Sequence, residues 1–113
     1  MPYLKINYDD AKPAFEELDL PEDVSAWLDA CYQVIGCSLI ETAPTVFRDI
    51  ILVIDQEGKL WDGWQNRINT VASILYGSEW DPIVGDAILA RVDGENLVPL
   101  TSDDVDRLKR HFC

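Results

Sequence analysis

Five consecutive aliphatic residues, Ile50–Ile54, constrain the fold of this 113-residue chain more than any other stretch. A short run of this kind, rich in β-branched residues and followed by turn-forming residues, is typical of a strand buried on both faces. We place the strand at Phe47–Ile54 and expect it at the centre of a sheet. Gln56–Lys59 would then form a tight turn in which Gly58 supplies a positive φ, and Lys59–Trp61 would pair back as a hairpin.

Alternating or apolar segments predict further strands at Tyr3–Tyr8, Ala14–Leu20, Cys37–Thr42, Ile83–Val92 and Leu97–Leu100. Ala14–Leu20 also fits a short helical turn, but the prolines that bracket it favour a strand. Gly85 inside its strand suggests a bulge or a close backbone approach, and Pro99 indicates an edge strand.

Three segments predict helices. The apolar stripe of Pro21–Ile35 recurs at three- and four-residue steps, and Gly36 would end that helix in a left-handed cap. A short helix begins at Asn69 or Thr70, buries Val71, Ile74 and Leu75, and closes at Gly77. Thr101 caps a final helix, Ser102–Phe112, whose first turn carries Asp103 and Asp104.

Together these elements predict one acidic α+β domain over residues 1–113. Its sheet would be mixed but mostly antiparallel, with about five strands. We expect Pro21–Ile35 and Ser102–Phe112 to pack on one face of the sheet, and the short third helix to lie at one end.

The charge balance is the unusual part of the composition. Nine lysine and arginine residues face 21 aspartate and glutamate residues, so the formal net charge is −12 at pH 7. A field of this sign keeps a protein soluble and repels nucleic acid and anionic membranes. We therefore expect no direct nucleic-acid or membrane binding. The acidic surface is instead suited to compete for a basic, nucleic-acid-binding protein.

Compartment and chemistry are constrained by what the sequence lacks. No stretch approaches the about 20 apolar residues of a transmembrane helix, and the first residues lack the apolar core of a signal peptide, so we expect a cytoplasmic protein. The lone histidine, His111, and the scattered Cys31, Cys37 and Cys113 match no metal or catalytic spacing. Cys31 and Cys37 are expected to be buried thiols and Cys113 an exposed one. We expect no enzyme activity, no cofactor and no metal.

One candidate site is left, a patch of tryptophan, amide and charged side chains. Its residues are Trp61, Asp62, Trp64, Gln65, Asn66, Arg67 and Trp80. This composition suits a protein-binding hot spot or a ligand pocket. In the alternative interpretation, at least two of the tryptophans cover a sheet face, and Asn66 hydrogen-bonds nearby backbone to position the next helix.

Several short motifs follow one another along the chain: Val34-Ile35-Gly36, the turn Asp55–Leu60, Asn66, the helix end Leu75–Gly77, the strand Asp81–Ala87 and the Val98–Thr101 step. In this order they resemble the domain-of-unknown-function family numbered 3846, a family of small proteins from bacteria, phages and mobile elements. The resemblance extends over residues 24–112 and implies no established activity, only an accessory role of mobile-element origin. Trp61 and Trp64 replace smaller apolar residues or proline, and Asp86 replaces a small neutral residue.

These observations favour a non-enzymatic regulator or inhibitor that binds another protein. The alternative is a small-molecule or nucleotide-binding module in which Trp61, Trp64 and Trp80 stack on the ligand while Asn66 and Arg67 hydrogen-bond to it.

Overall fold

The computed structural model describes residues 3–77 and 81–112, which form an α+β domain as predicted. The strands are β1 (Tyr3–Ile6), β2 (Phe15–Leu18), β3 (Ile40–Pro44), β4 (Ile50–Asp55), β5 (Ala87–Asp93) and β6 (Asn96–Val98). The α-helices are α1 (Val24–Ile35), α2 (Thr70–Tyr76) and α3 (Ser102–His111), and two short 3₁₀ turns occupy Gly58–Leu60 and Trp64–Arg67.

All strand pairings of the described residues are antiparallel, in the order β2-β1-β5-β4-β3. The most connected strand is β5, which pairs with β4 along one side. Its other side pairs first with β1 and then with β6. The aliphatic run was therefore correctly predicted as a buried strand, but β5 shares the central position with it.

Both faces of the sheet are apolar, and each has its own helical cover. Alternate β4 residues, including Ile50 and Leu52, face a core that contains Leu75 of α2 and Leu108 of α3. Val53 points to the opposite face, where Cys31 and Ile35 of α1 cover it. Two helices do share one face, but they are α2 and α3. The expectation that α1 packs beside the final helix was wrong, because a strand that is apolar on both sides needs helices on both.

The first helix begins later than its proline suggests. Asp23 has extended backbone angles, and its carboxylate accepts a hydrogen bond from the Ala26 backbone N–H at 3.1 Å. That cap fixes the start at Val24 rather than Pro21. The end was predicted correctly, because Gly36 has a φ of 78° and its N–H reaches the Tyr32 carbonyl.

Two strands are shifted toward the C-terminus of their predicted ranges. Strand β3 continues through Ala43 and Pro44, beyond the predicted end at Thr42. Proline is tolerated there because β3 is an edge strand that pairs only with β4. Strand β4 begins at Ile50 rather than Phe47, since the Thr45 hydroxyl lies 3.0 Å from the Phe47 backbone N–H and 2.7 Å from the Ile50 carbonyl. These bonds hold the preceding residues in a turn.

The predicted hairpin after the aliphatic strand was wrong. Both sides of β4 are occupied by β3 and β5, so no edge is free for Lys59–Trp61. The chain instead enters the 3₁₀ turn Gly58–Leu60, and the Gly58 φ is not positive. Gly58 is needed for space, because an added Cβ would lie 3.3 Å from the Val84 Cβ.

Two smaller expectations also fail. Strand β5 starts at Ala87, so Gly85 (φ 82°) lies before the strand rather than inside it. In α2, Ala72 and Leu75 are buried, whereas Ile74 is 49% exposed. The Asn69 cap and the Gly77 end of α2 were both predicted correctly.

The two described cysteines are free thiols in apolar surroundings. Cys31 is buried as expected, and Cys37 is only partly buried. Burial raises the pKa of Cys31 to about 11 and also raises the pKa of Cys37. Both thiols are therefore held in their unreactive, protonated form at neutral pH. Cys113 lies outside the described residues.

The start of α3 is fixed by a buried carboxylate. Asp104, with 1% of its surface exposed, completes a capping box with Thr101. It also accepts hydrogen bonds from Arg91 at 2.8 Å and Arg107 at 2.6 Å. Burial alone would raise the pKa of Asp104. The hydrogen bonds from the Thr101 backbone, Arg107 and Arg91 outweigh burial and lower this pKa from 3.8 to about 2.

This depressed pKa predicts an acid-sensitive contribution to stability. The contribution is present above the unfolded-state pKa of 3.8 and is lost as the pH falls through that value toward the folded-state pKa of about 2. We expect the difference in unfolding free energy between wild type and Asp104→Asn to shrink by about 2 kcal/mol between pH 5 and pH 2. Urea unfolding of both proteins at each pH measures it, and a difference that does not change with pH would contradict the assignment.

Candidate functional site

The segment between β4 and α2 leaves the sheet and carries most of the predicted site. Asp55 ends β4, and its carboxylate accepts a hydrogen bond from the Glu57 backbone N–H at 2.9 Å. Gly58 then packs under Val84, and the chain turns outward. The left-handed Gly63 (φ 75°) separates the two 3₁₀ turns.

Two large apolar side chains of this segment are exposed to solvent. Leu60 is 77% exposed and Trp61 is 51% exposed. Single exposed hydrophobic residues are ordinary, but adjacent ones of this size on an irregular segment present a concentrated apolar surface. Half of the Trp61 surface is therefore open to solvent rather than packed against the sheet.

Arg67 lies against the exposed tryptophan. Its guanidinium carbon is 5.7 Å from the Trp61 ring centroid and 5.2 Å from that of Tyr8. Both distances are within the range of a cation–π contact. Tyr8, Trp61 and Arg67 are called the aromatic–arginine cluster below.

The backbone of Arg67 is fixed by the segment that leads into β5. Its carbonyl accepts a hydrogen bond from Gly85 N–H at 2.7 Å, and Ile68 forms an isolated bridge with Val84. A Cβ on Gly85 would lie 3.4 Å from an Arg67 guanidinium nitrogen, an ordinary van der Waals distance, so glycine is favoured here by its positive φ rather than by lack of space.

Tyr8 is positioned by Asp86. The Asp86 carboxylate accepts a hydrogen bond from the Tyr8 backbone N–H at 3.1 Å and lies 3.5 Å from the Lys5 ammonium group. Asp86 stood out in the sequence as an unusual residue for its position. Its contacts assign it the role of joining the end of β1 to the start of β5.

Asn69 anchors the other end of the segment. Its side-chain oxygen caps α2 by accepting from Ala72 N–H, while its amide group donates to the carbonyls of Ile6 and Gly85, all at 3.0 Å. The side chain is fully buried. The positioning role that the sequence suggested for Asn66 belongs to Asn69, since Asn66 is exposed.

The predicted site residues therefore divide into groups. Trp61 and Arg67 are in contact, Asp62, Gln65 and Asn66 are exposed nearby, and Trp64 is partly buried outside both core clusters. Trp80 lies outside the described residues. No pattern in the sequence pointed to Tyr8, which is 53 positions from Trp61, or to the exposure of Leu60.

Two concave regions lie elsewhere. A cleft of about 310 Å³ runs between β3 and residues 81–84, with the Lys59–Asp81 ion pair among its lining residues. A groove of about 510 Å³ lies beside α1 and β6. Neither is lined by the aromatic–arginine cluster, and the open depression at Trp61 does not include Arg67. The stacking pocket of the small-molecule alternative stays a prediction.

Within residues 3–77 and 81–112, no group of three or more histidine, cysteine or acidic side chains could hold a metal ion. None of the described helices is long and apolar enough to cross a membrane. The carboxylate with the most strongly shifted pKa, Asp104, is bound to its own helix start and to two arginines, so we assign it to stability rather than to chemistry.

The chain matches the family model described as Domain of unknown function (DUF3846) over residues 4–113. It belongs to the DUF3846 family. The match also covers β2 and all of β1 except Tyr3, which the motif resemblance over residues 24–112 had left out, so the whole aromatic–arginine cluster lies inside the family region. No curated protein and no solved structure matches this DUF3846 chain.

Proposed function

We propose that this DUF3846 protein is a non-enzymatic regulator or inhibitor that acts in the cytoplasm by binding a protein with a basic surface. The docking surface is the aromatic–arginine cluster together with Leu60. The observation that carries the proposal is the exposure of the neighbouring Leu60 and Trp61, with the Trp61 ring against the Arg67 guanidinium.

The residue types of the cluster support this proposal. Tryptophan, tyrosine and arginine are the residues most enriched in binding hot spots, where rigid aromatic groups fill pockets of the partner. Stacking against two rings restrains the Arg67 side chain before binding. Less conformational entropy is therefore lost when a partner covers it.

Charge identifies the class of partner. The chain carries a net charge of −12, and the exposed carboxylates Asp9, Asp10 and Asp62 lie within two positions of Tyr8 or Trp61. A partner with an apolar pocket surrounded by lysine and arginine complements this surface. Opposite charges of this kind speed association and make binding sensitive to salt.

Replacing Trp61 by alanine tests the proposal. Affinity capture with the wild-type protein would first identify candidate partners, and each candidate would then be purified for direct binding. We expect Trp61→Ala to raise the dissociation constant by about 30-fold, as for a hot-spot loss of about 2 kcal/mol. The free energy of unfolding should change by less than about 1 kcal/mol, since the ring is half exposed.

The matched control is Val24→Ala, because Val24 is 73% exposed but lies at the start of α1, away from the cluster. This variant should bind like wild type. Raising the salt concentration should weaken the wild-type complex, and the partner should carry net positive charge. Equal binding by Trp61→Ala and wild type, or an acidic partner bound independently of salt, would overturn the proposal.

A further inference from the structure

The groove beside α1 and β6 is a second binding feature, separate from the docking surface. Its volume is about 510 Å³. Pockets for small molecules span roughly 300–1,000 Å³, so the groove has room for more than one inserted amino-acid side chain. None of Tyr8, Leu60, Trp61 and Arg67 lines it.

The inner wall of the groove is aromatic and apolar. Tyr3 of β1 and Trp27 of α1 lie with ring centroids 6.4 Å apart and an interplanar angle of 56°. Leu97 of β6 and Pro99 complete this wall. Burial, with the Glu22 carboxylate as a smaller contribution, raises the pKa of the Tyr3 phenol, so this ring stays neutral at physiological pH.

The rim is acidic on two sides. Glu22 comes from the segment before α1 and Glu95 from the turn between β5 and β6, and both are exposed. No lysine or arginine is among the groove's described lining residues. Aromatic rings attract cations through their π faces, and carboxylates at the mouth of an apolar groove add to this attraction.

We propose that this groove binds a small organic ammonium ion, with its apolar body against Tyr3 and Trp27 and its charged nitrogen at Glu22 and Glu95. The apolar wall selects a ligand with a hydrocarbon or aromatic body over a bare metal cation. The two rim carboxylates, Glu22 and Glu95, select a cation over a neutral ligand of the same shape. The size of the groove favours a free amine over a lysine side chain of another protein.

Two probes of equal shape and different charge test this proposal on the full chain. Titrations with 2-phenylethylammonium and with 2-phenylethanol would be followed by the NMR signals of the Trp27 indole and the Leu97 amide. We expect the ammonium ion to bind at least about tenfold more tightly than the alcohol. Equal affinities, or no shift of these signals by the ammonium ion, would overturn the proposal.

The double variant Glu22→Gln/Glu95→Gln should remove this tenfold preference and leave the weak binding of the alcohol unchanged. Glu17→Gln/Glu41→Gln removes the same net charge from two exposed strand residues and should keep the preference. If both double variants lost the preference for the ammonium ion over the alcohol, the preference would depend only on the overall charge of the protein. That result would overturn the assignment of Glu22 and Glu95 as the binding carboxylates. Tighter binding of Nα-acetyl-lysine methylamide than of 2-phenylethylammonium would identify a protein side chain as the occupant and overturn the free-amine assignment.

Discussion

Replacing Asp104 by alanine is expected to lower the free energy of unfolding by about 3 kcal/mol, because it removes a buried carboxylate that caps α3 and accepts hydrogen bonds from two partly exposed arginines. Asp104 is 1% exposed and accepts hydrogen bonds from Arg91, Arg107 and the backbone N–H of Thr101. Without it, the capping box of α3 is lost and two guanidinium groups lose their shared partner. Helix α3 then loses its ion-pair link to Arg91 of β5 and is held to the sheet by apolar packing such as that of Leu108.

Urea unfolding followed by circular dichroism measures this loss. The matched control is Asp103→Ala, one position earlier in the first turn of α3 but exposed. It removes only a favourable interaction with the helix dipole, so we expect a loss of about 0.3–1 kcal/mol. If Asp104→Ala cost no more than Asp103→Ala, Asp104 would not be the group that fixes α3.

The second large effect is expected at Asn69, where Asn69→Asp separates two functions of one side chain. The aspartate keeps the oxygen that caps α2 at Ala72, but it replaces the amide donor that binds the carbonyls of Ile6 and Gly85. Both carbonyls lose their hydrogen bonds and face a fully buried carboxylate. We expect a loss of about 3 kcal/mol or more in unfolding free energy, since each unsatisfied buried group costs about 1–3 kcal/mol.

Asn66→Asp supplies the control, because this substitution introduces the same charge three positions away at an exposed site. It should change the unfolding free energy by less than about 0.5 kcal/mol. Thermal or urea unfolding of the two variants at neutral pH makes the comparison. If Asn69→Asp had the same unfolding free energy as wild type, the hydrogen bonds to the Ile6 and Gly85 carbonyls would not contribute to stability. The capping bond to Ala72 would then account for the whole stabilising effect of Asn69.

Features that depend on hydrogen bonds between near neighbours were predictable from the sequence. Thr101 caps α3 as expected, and Gly36 and Gly77 end their helices in left-handed conformations. The α+β class and the turn between β5 and β6 follow from the same kind of short-range pattern. Such contacts are set by spacing along the chain, so the residues themselves reveal them.

Features that depend on distant residues were not predictable. The segment after Asp55 looked like the second half of a hairpin because nothing local shows that β5 already occupies the free edge of β4. The candidate site was partly predicted, since Trp61 and Arg67 are close in sequence. Tyr8 joins them only through the pairing of β1 with β5, and Asn69 acts through carbonyls of Ile6 and Gly85.

The connectivity of β5 has a consequence for how the chain is made on the ribosome. The hairpins β1–β2 and β3–β4 are complete once Asp55 has been synthesised, but among the described strands only β5 joins them, and it spans Ala87–Asp93. Until then the nascent chain carries two half-sheets with open edges at β1 and β4. Nascent chains associate with one another through unpaired edges of this kind. The two half-sheets are therefore protected from such association only after β5 has left the ribosome and paired with β1 and β4.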